Sequence, residues 1–487
     1  MKKLLRREWQ AVWRDPWQLA LISYLPLIGV LCLWWLFSAG LPRQLPVALV
    51  DQDNSSLSRE LGRHLEANPV IAPRRYLALD EAVEAMRRGE VYALVILPYG
   101  LKQELLTGHT PTIDLRYNGQ FLLVGKLLAS QLQLTLADGL QQVARLKQLA
   151  AGVNPSQVEV HLSPVSTQTT ALFNRNNNYV GFLVPPVLIA LWQLLAMLAF
   201  AGSLNRELRQ DTLGECFRLG MPSVLLSKFV VNGAFMLLHG GFILVLLYQL
   251  LGLPIAGQLL WLLPMQILML MAVWLWVQGI FFMLADSARV ISFCTALFAP
   301  AFAFMGITFP TGEMPLLAQW WRLLMPSSHY IESHVALVSY GAGPASLLPQ
   351  ALGYLGFLLL LIPSWFFARR YARCCSRSCR LRRRYDSQAP LVMAVDLAGF
   401  TRLVRDKAIS LTLFGGVLFY AVLYPLPYLH QVPTEQQLVV VDHDNSSLSR
   451  RLIRHADASA RIQVVGRVAP STKPRPGSPM AAPMVYW

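Results

Sequence analysis

The sequence predicts an α-helical polytopic membrane protein with six spans, a seventh span from a partial repeat, and an extracytoplasmic α/β domain inserted between spans one and two. Three observations predict this class: long apolar runs without charge, an uneven distribution of basic residues, and an internal repeat. Of the 487 residues, 54% are hydrophobic and only 14% are charged, whereas about 25% of the residues in a typical soluble domain are charged. This composition disfavours a soluble domain, a disordered chain and a dedicated nucleic-acid binder.

Seven apolar runs are near or above the roughly 20 residues that a helix needs to cross the hydrocarbon core. Helices are required there because backbone amides find no water in the bilayer. The predicted spans are 17–39, 179–202, 229–251, 259–284, 290–309, 348–367 and 409–429. The first run is too long for the apolar region of a signal peptide and no clear cleavage site follows it, so we interpret it as an uncleaved span.

Basic residues are concentrated on one side of these spans. If the spans alternate, one side holds 1–16, 203–228, 285–289 and 369–407, which carry +12 of the net charge of +15. Because Lys and Arg accumulate in cytoplasmic loops, the N-terminus is predicted to be cytoplasmic. The basic segment 369–395 is interpreted as a cytoplasmic linker, and it lacks the interleaved aromatic residues of a nucleic-acid site. The segments predicted to face outside are 40–172, 310–346 and 430–487.

Segment 40–172 alternates short strand-like runs with helical patterns, which is typical of a compact α/β domain with helical stalks. Its basic and acidic residues balance, which argues against electrostatic capture of a charged substrate. The predicted strands are 47–50, 92–97 and 113–117, and the predicted helices are 57–66, 79–88 and 121–149.

An internal repeat divides the chain. Residues 51–64 and 442–455 are identical at eleven of 14 positions, at a constant offset of 391. At the same offset Arg14-Asp15 matches Arg405-Asp406. We interpret 396–465 as a partial second copy with an elbow, span seven and the start of an outer domain. The proline-rich residues 466–487 are interpreted as a disordered or frameshifted tail. A truncated or frameshifted fusion of two tandem genes would explain both segments, and a natural extension is the alternative.

Motifs for catalysis and cofactor binding are missing from the sequence. It contains no Walker-type phosphate loop, no G-x-S-x-G and no H-E-x-x-H, so no enzymatic activity and no bound cofactor or metal is predicted. His329, Glu332 and His334 are close in sequence but do not share one helix face, which favours an amphipathic segment over a metal site. His239 lies alone in span three, where a packed histidine is favoured over a proton relay.

Three segments carry a family resemblance. The elbow 1–16 is an amphipathic helix that ends in an Arg-Asp pair, the loop 203–228 carries a Glu, a Thr and a later Pro, and the connection between spans five and six carries a spaced set of prolines. In this order and topology they resemble the transmembrane subunits of type-2 ABC exporters. The loop departs from the usual coupling motif at Asp211, where the family has glycine, and at Gly214, where it has an acid. In the loop, Glu207, Thr212, Leu213 and Pro222 match the family motif. The residues that we assign to ATPase coupling on this basis are Arg14, Asp15, Glu207, Asp211, Thr212, Pro222 and Lys228, and the motif of the outer connection comprises Pro310, Met314, Pro315, Pro326 and Tyr330.

The resemblance implies a permease subunit of an ATP-driven exporter in the bacterial inner membrane, with spans two to six in 173–368 and the coupling loop at 203–228. It implies a separate cytoplasmic ABC ATPase that binds the ATP, and a second permease subunit in a homodimer or heterodimer. A periplasmic adaptor and membrane lipid are further expected partners, and nucleic acid is not. The substrate is not identified by the sequence, and the uncharged span interiors favour a hydrophobic or amphiphilic one.

Two alternatives remain open at this stage. A membrane receptor or scaffold would use the outer domain and need no ATPase. An inactive fusion product would result if span seven and the tail obstructed the pairing of subunits. A proton-driven secondary transporter is disfavoured because the spans lack acidic residues.

Overall fold

A computed structural model describes residues 1–38, 43–107, 109, 111–154, 157–158, 162, 179–378, 416–429 and 436–468. The chain forms two compact units, a helical unit of Met1–Ser38 and Ala171–Trp487 and an α/β unit of Ala39–Thr170. Predictions for most of the basic linker, for Arg405-Asp406 and for 469–487 lie outside the described residues.

In chain order the helical unit begins with α1 (Lys2–Arg14), α2 (Pro16–Ile22) and α3 (Tyr24–Phe37). The α/β unit consists of β1 (Leu45–Asp51), α4 (Ser56–Ala67), β2 (Ile71–Tyr76), α5 (Leu79–Arg87), β3 (Ala93–Leu97), α6 (Leu101–Thr107), β4 (Asp114–Tyr117) and α7 (Leu122–Ala150). The helical unit continues with α8 (Tyr179–Arg209), α9 (Leu213–Arg218), α10 (Met221–Val245), α11 (Leu262–Leu284), α12 (Ser287–Phe298), α13 (Ala301–Phe304), α14 (Leu316–Leu323), α15 (Pro326–Val338), α16 (Leu348–Gly353) and α17 (Leu361–Ser378). The last elements are α18 (Gly416–Leu423), β5 (Gln436–Val441), α19 (Ser447–Asp457) and β6 (Ile462–Val468).

The helical unit is that of a multi-pass membrane protein. Within the described residues, five helices are long and apolar enough to cross a membrane, or six if α2 and α3 together count as one span. These two helices meet at an angle of 42°. Each of the first six predicted spans overlaps one of these helices or the α2–α3 pair, although the predicted span 290–309 extends beyond the helical residues, which end at Phe304. The predicted span seven lies partly outside the described residues, and the described part contains the short helix α18.

Helix α8 extends seven residues beyond the end predicted for span two, from 202 to Arg209. The polar residues that follow 202 remain helical because their side chains find partners in neighbouring helices. The next long helix, α10, begins at Met221, with Pro222 in its first turn, where a proline needs no backbone donor. The connection between α8 and α10 is therefore the short segment 210–220 around α9, which is shorter than the segment 203–228 that separates the two predicted spans.

The α/β unit is built on a four-stranded sheet in the order β2-β1-β3-β4, in which only β4 is antiparallel to its neighbour. Alternate side chains of β1 point to opposite faces of the sheet. Val47 and Leu49 pack with helices α4 and α7, whereas Ala48 and Val50 pack with α5. Helices therefore cover both faces of the sheet.

The repeated segment builds the same local structure twice. In the first copy the Asp51 carboxylate accepts hydrogen bonds from the Asn54 amide at 3.0 Å and from the Ser58 hydroxyl at 2.8 Å. In the second copy Asp442 accepts the matching bonds from Asn445 at 2.8 Å and Ser449 at 2.9 Å. The fourteen-residue match thus encodes one strand-to-helix turn, in which the aspartate binds the start of the helix.

The two copies differ in what covers this helix. In the first copy Leu57 and Leu61 are 6% and 0% exposed because α7 packs over α4. Their counterparts Leu448 and Leu452 are 65% and 62% exposed. The second copy therefore buries much less apolar surface among the described residues, and its strands β5 and β6 form only a two-stranded sheet.

We expect limited trypsin digestion to cut the second copy before the first. The bonds after Arg63 and Arg454 form a matched pair, because both follow exposed arginines at the same repeat position and both precede histidine. Cleavage requires local opening, which costs less where little apolar surface is buried. Mass spectrometry of early time points should show cleavage after Arg454 at least about tenfold faster. Equal rates at the two bonds would contradict this account of the second copy.

Candidate functional site

The elbow helix α1 packs against α10 at the predicted cytoplasmic end of the helical unit. The Trp9 ring stacks on Phe235 at 5.4 Å between ring centroids, and Val12 is completely buried in the main core. On the same side of α1, Glu8 is only 4% exposed. A carboxylate on the apolar face of an amphipathic helix needs charged or hydrogen-bonding partners.

Glu8 finds these partners on two other helices. The Ser203 hydroxyl on α8 donates to its Oε1 atom at 2.7 Å, and the Lys228 ammonium on α10 donates to Oε2 at 2.9 Å. The Arg206 guanidinium donates to the same carboxylate, and the Asn232 amide lies at 3.4 Å from it. Glu8 therefore joins the elbow to the ends of α8 and α10.

Glu207, the next residue after Arg206, forms a second centre beside the first. Its carboxylate accepts from Lys228 at 2.8 Å and from Arg7 at 3.0 Å. The Thr212 hydroxyl and the Cys216 thiol from the α9 segment also donate to it. The Lys228 ammonium, 1% exposed, thus lies between two carboxylates. We call Arg7, Glu8, Arg206, Glu207 and Lys228 the elbow network.

The charges of the elbow network shift the protonation of its members. Burial alone would raise the pKa of the Glu8 carboxyl, but Lys228, Arg206 and the Ser203 hydrogen bond outweigh burial, so this pKa lies below its ordinary value. Burial and the adjacent Glu207 carboxylate raise the pKa of the Cys216 thiol to about 11. Glu8 is therefore a carboxylate and Cys216 a neutral hydrogen-bond donor at neutral pH.

The residues predicted for ATPase coupling are divided by the structure. Glu207, Thr212 and Lys228 come together in or beside the elbow network, where they are largely buried. Asp15 instead caps α2 by accepting from the Trp17 and Gln18 amides, and Arg14 is exposed at the end of α1.

Asp211 and Pro222 have backbone roles in this connection. Asp211 adopts the left-handed conformation with φ of 55°, which glycine adopts freely and aspartate tolerates better than most residues. This explains how an aspartate can occupy a position where the resembling family has glycine. Pro222 lies in the first turn of α10, where the missing backbone N–H is not needed.

Sequence reasoning missed Arg7, Glu8, Ser203 and Asn232. One signal was present for Glu8, because Leu5, Glu8 and Val12 follow the spacing of one helix face and the other two are apolar. A charged residue in that stripe requires a buried partner. Nothing in the sequence identifies which of the distant basic residues provides it.

The residues of the outer connection serve packing rather than one common site. Tyr330 is buried, its hydroxyl accepts from the Gln266 amide at 3.1 Å, and Pro326 provides a carbonyl to Tyr354 at 2.8 Å. Met314 belongs to a separate apolar cluster. Pro310 and Pro315 precede the short helix Thr311–Glu313 and α14, respectively.

The histidines have separate partners. The ring of His334 bonds to the Tyr248 hydroxyl at 2.8 Å, while Glu332 pairs with Arg322 and His329 lies at 3.2 Å from Gln350. Across the described residues no group of His, Cys, Asp and Glu is arranged to hold a metal ion. His239 lies at 2.7 Å from the Phe235 carbonyl and 3.1 Å from the Ser23 carbonyl, which is the geometry of a packed histidine.

Comparisons with known proteins agree with this architecture. The family profile described as "ABC-2 family transporter protein" matches residues 16–367. The "Inner membrane transport permease YhhJ" of Escherichia coli K12 is 24% identical over 316 residues, which cover 63% of this chain and 80% of the relative. The protein of the same name from Shigella flexneri matches equally. No solved structure gives a significant match. The chain belongs to the ABC-2 transporter family, and it is a membrane permease subunit rather than an enzyme.

Proposed function

We propose that the chain is the permease of an ATP-driven exporter in the bacterial inner membrane, with its N-terminus in the cytoplasm. Membership of the ABC-2 family implies association with an ABC ATPase subunit. The concentration of basic charge on one side supports the orientation, and the printed name of the relatives supports the inner membrane. Within this proposal the substrate is hydrophobic or amphiphilic, and a second permease subunit completes the pathway.

The elbow network is the observation that carries this proposal. It connects α1, the end of α8, the α9 segment and the start of α10 through charged groups that are largely withdrawn from water. Separating the partners of such buried charge pairs would leave uncompensated charges in the protein interior, which is costly. A force applied to α1 or α9 by a cytoplasmic partner is therefore passed directly to spans two and three.

The docking surface in this proposal is the exposed side of the α9 segment, not the buried network. Asp211, Glu215 and Arg218 are exposed there, and Arg209 precedes them at the end of α8. Glu207, which we assigned to ATPase coupling from the sequence, and the adjacent Arg206 are not part of this surface. Those two residues are 4% and 3% exposed and pair within the permease.

Exchanging the charges of α9 should weaken ATPase binding. In the variant Glu215→Lys with Arg218→Glu, complementary contacts with the ATPase become repulsive, and we expect about tenfold weaker association, or about 1.4 kcal/mol. The measurement is the affinity of the purified ABC ATPase for the full-length permease in nanodiscs, together with permease-stimulated ATP hydrolysis.

The matched control is Glu84→Lys with Arg87→Glu. This exposed pair has the same spacing on a helix but lies in α5 of the α/β unit. It should leave ATPase binding unchanged. Equal binding by the α9 variant would contradict the docking surface. Failure of the wild-type chain to bind or stimulate an ABC ATPase would contradict the proposed function itself and favour a receptor or scaffold.

A further inference from the structure

The segment β5–α19–β6, residues 436–468, which we call the half-unit, repeats only part of the sheet of the α/β unit among the described residues. In the first copy β1 pairs with β2 on one edge and with β3 on the other. The counterpart of β1 is β5, and it pairs with β6, which takes the place of β2. The other edge of β5, which corresponds to the β3 side of β1, has no described strand beside it.

The backbone groups on this open edge correspond to those that bind β3 in the first copy. The Gln436 amide donates to the Arg461 carbonyl just before β6 at 2.9 Å. Neighbouring residues of a strand direct their backbone groups to opposite sides, so those of Gln437 point to the open edge. At the repeat offset Gln437 corresponds to Pro46, whose carbonyl accepts from the Tyr92 amide at 2.9 Å on the β3 side of β1. The open edge of β5 is therefore built to bind a strand.

The open edge of β5 also lacks the features that keep edge strands from pairing with other chains. Charged residues and proline on an edge strand oppose such pairing. The outer strands of the first copy carry them, with Pro73, Arg74 and Arg75 in β2 and with Asp114 and Arg116 in β4. The β5 sequence, QQLVVV, has neither a charge nor a proline. Its valines favour strand pairing, so β5 is an unprotected edge strand.

An apolar helix stripe lies on the same side of the half-unit as the open edge. Leu448 and Leu452 are four residues apart on α19, so they share one helix face, and both are exposed. In the first copy α7 covers the corresponding leucines of α4, and α7 also contacts β3. The face of α4 that α7 covers is therefore the one toward β3. By the repeat, the exposed stripe of α19 is directed toward the open edge of β5.

We propose that the half-units of two molecules of this chain pair through the open edge and the stripe. The two β5 strands align antiparallel and form one sheet in the order β6-β5-β5-β6 across a two-fold axis. An axis perpendicular to the sheet leaves both α19 helices on the same face, where their Leu448 and Leu452 stripes meet. The second molecule thus provides a strand in the position of β3 and an apolar helix in the position of α7.

The arrangement of charge on α19 is compatible with this pairing. Arg450 and Arg454 are each two residues from Leu452, and a helix turns by about 100° per residue. Their side chains therefore extend from the side of α19 opposite to the stripe, away from the two-fold axis. The inference goes beyond the proposed function and does not rest on it, because no ATPase, substrate or membrane span takes part in the contact.

Site-specific photo-cross-linking tests this contact in the full-length chain, reconstituted in nanodiscs that hold two molecules and no ATPase. The photoreactive residue p-benzoylphenylalanine replaces Leu452 on the stripe. In the matched control the same residue replaces Arg454, which is exposed on the opposite side of α19. Mixing isotopically labelled and unlabelled chains lets mass spectrometry separate cross-links between molecules from those within one molecule.

We expect the probe at Leu452 to cross-link to α19 of the other molecule at least severalfold more often than the probe at Arg454. Gln437→Pro should reduce this cross-link severalfold, because it removes an amide donor from the open edge. The strand should tolerate this proline, since β1 has Pro46 at the same repeat position. Leu448→Gln should also reduce the cross-link, and it changes an exposed side chain without altering the backbone.

Three results would overturn the proposal: cross-links confined to one molecule, cross-links to β3 or α7 of the other molecule, or an α19 cross-link that Gln437→Pro and Leu448→Gln both leave unchanged. Trypsin provides a second readout, because cleavage after Arg454 should be slower in discs with two molecules than in discs with one. An equal rate in both would also count against pairing. Since no ATP or ATPase is present, these results are separate from those that test the proposed function.

Discussion

Replacing Glu8 by alanine is expected to cost about 3–5 kcal/mol of stability, which is typical for removing one partner of a buried ion pair. The change leaves the Lys228 ammonium and the Arg206 guanidinium without the carboxylate that both of them contact. It also removes the acceptor of the Ser203 hydroxyl. The measurement is thermal unfolding of the purified chain, followed by tryptophan fluorescence.

The control for this variant is Gln10→Ala, which truncates an exposed residue of the same helix and should change stability by less than about 0.5 kcal/mol. If the unfolding midpoint of Glu8→Ala equalled that of Gln10→Ala within error, the elbow network would contribute nothing to the stability of the folded chain.

The pH dependence provides a second readout of Glu8. Its pKa in the folded chain is below its value in the unfolded chain. Its contribution to stability is therefore complete above the unfolded pKa of about 4.3 and is lost as the pH falls through the folded pKa. The wild-type chain should lose this contribution in that acidic window, whereas Glu8→Gln should lack it at every pH.

Replacing Lys228 by methionine is expected to have an effect of similar size, about 3–5 kcal/mol. Methionine approximates the length of the lysine stem, so the packing of the 1% exposed side chain is largely kept. The loss comes from the ammonium, which lies at 2.9 Å from Glu8 and 2.8 Å from Glu207. Without the ammonium, the Glu8 and Glu207 carboxylates lie close together in the protein interior, and only Arg206 and Arg7 remain to balance their negative charge.

A double-mutant cycle tests whether these two effects arise from one network. The combined variant Glu8→Gln with Lys228→Met removes one charge of each sign, so its cost should be less than the sum of the single costs by about 0.5–3 kcal/mol. Additive costs would mean that Glu8 and Lys228 act independently, in contradiction to their direct contact.

The fold could be predicted from the sequence where local patterns determine it. The long apolar runs identify the membrane helices, because only continuous helices satisfy the backbone in lipid. The end of span two could not be placed in this way. Arg206 and Glu207 suggest a solvated loop when the sequence is considered locally, yet both remain helical because Glu8, Arg7 and Lys228 neutralise them.

The sequence therefore points to only some residues of the candidate site. Glu207, Thr212 and Lys228 were selected because one segment of the chain resembles a family motif. Their convergence with Arg7 and Glu8 depends on α1 packing against α10, which joins residues about 200 positions apart. The spacing of Leu5, Glu8 and Val12 places Glu8 on the apolar face of α1, but no local pattern identifies its partners on α8 and α10.

The repeat illustrates the same limit. The match at an offset of 391 predicts that the second copy forms the same turn, because Asp442 and Ser449 encode it locally. The surface that residues 416–429 cover is set by apolar packing against α13 and α14. It becomes visible only in the folded chain, through the burial of Leu423 and Leu426.

We propose that the elbow network transmits the action of the ATPase to the membrane spans. Arg7 offers the most direct test, because it connects α1 to Glu207 and Cys216 and its side chain is partly exposed at 36%, so its loss should be tolerated by the fold. The measurement is ATP hydrolysis by the ABC ATPase reconstituted with the full-length permease in nanodiscs, beside the affinity of the two proteins. Arg6→Met, at the exposed neighbouring position, is the control. We predict that Arg7→Met binds the ATPase with wild-type affinity but loses at least about tenfold of the permease-stimulated hydrolysis, whereas wild-type stimulation by Arg7→Met would contradict the claim.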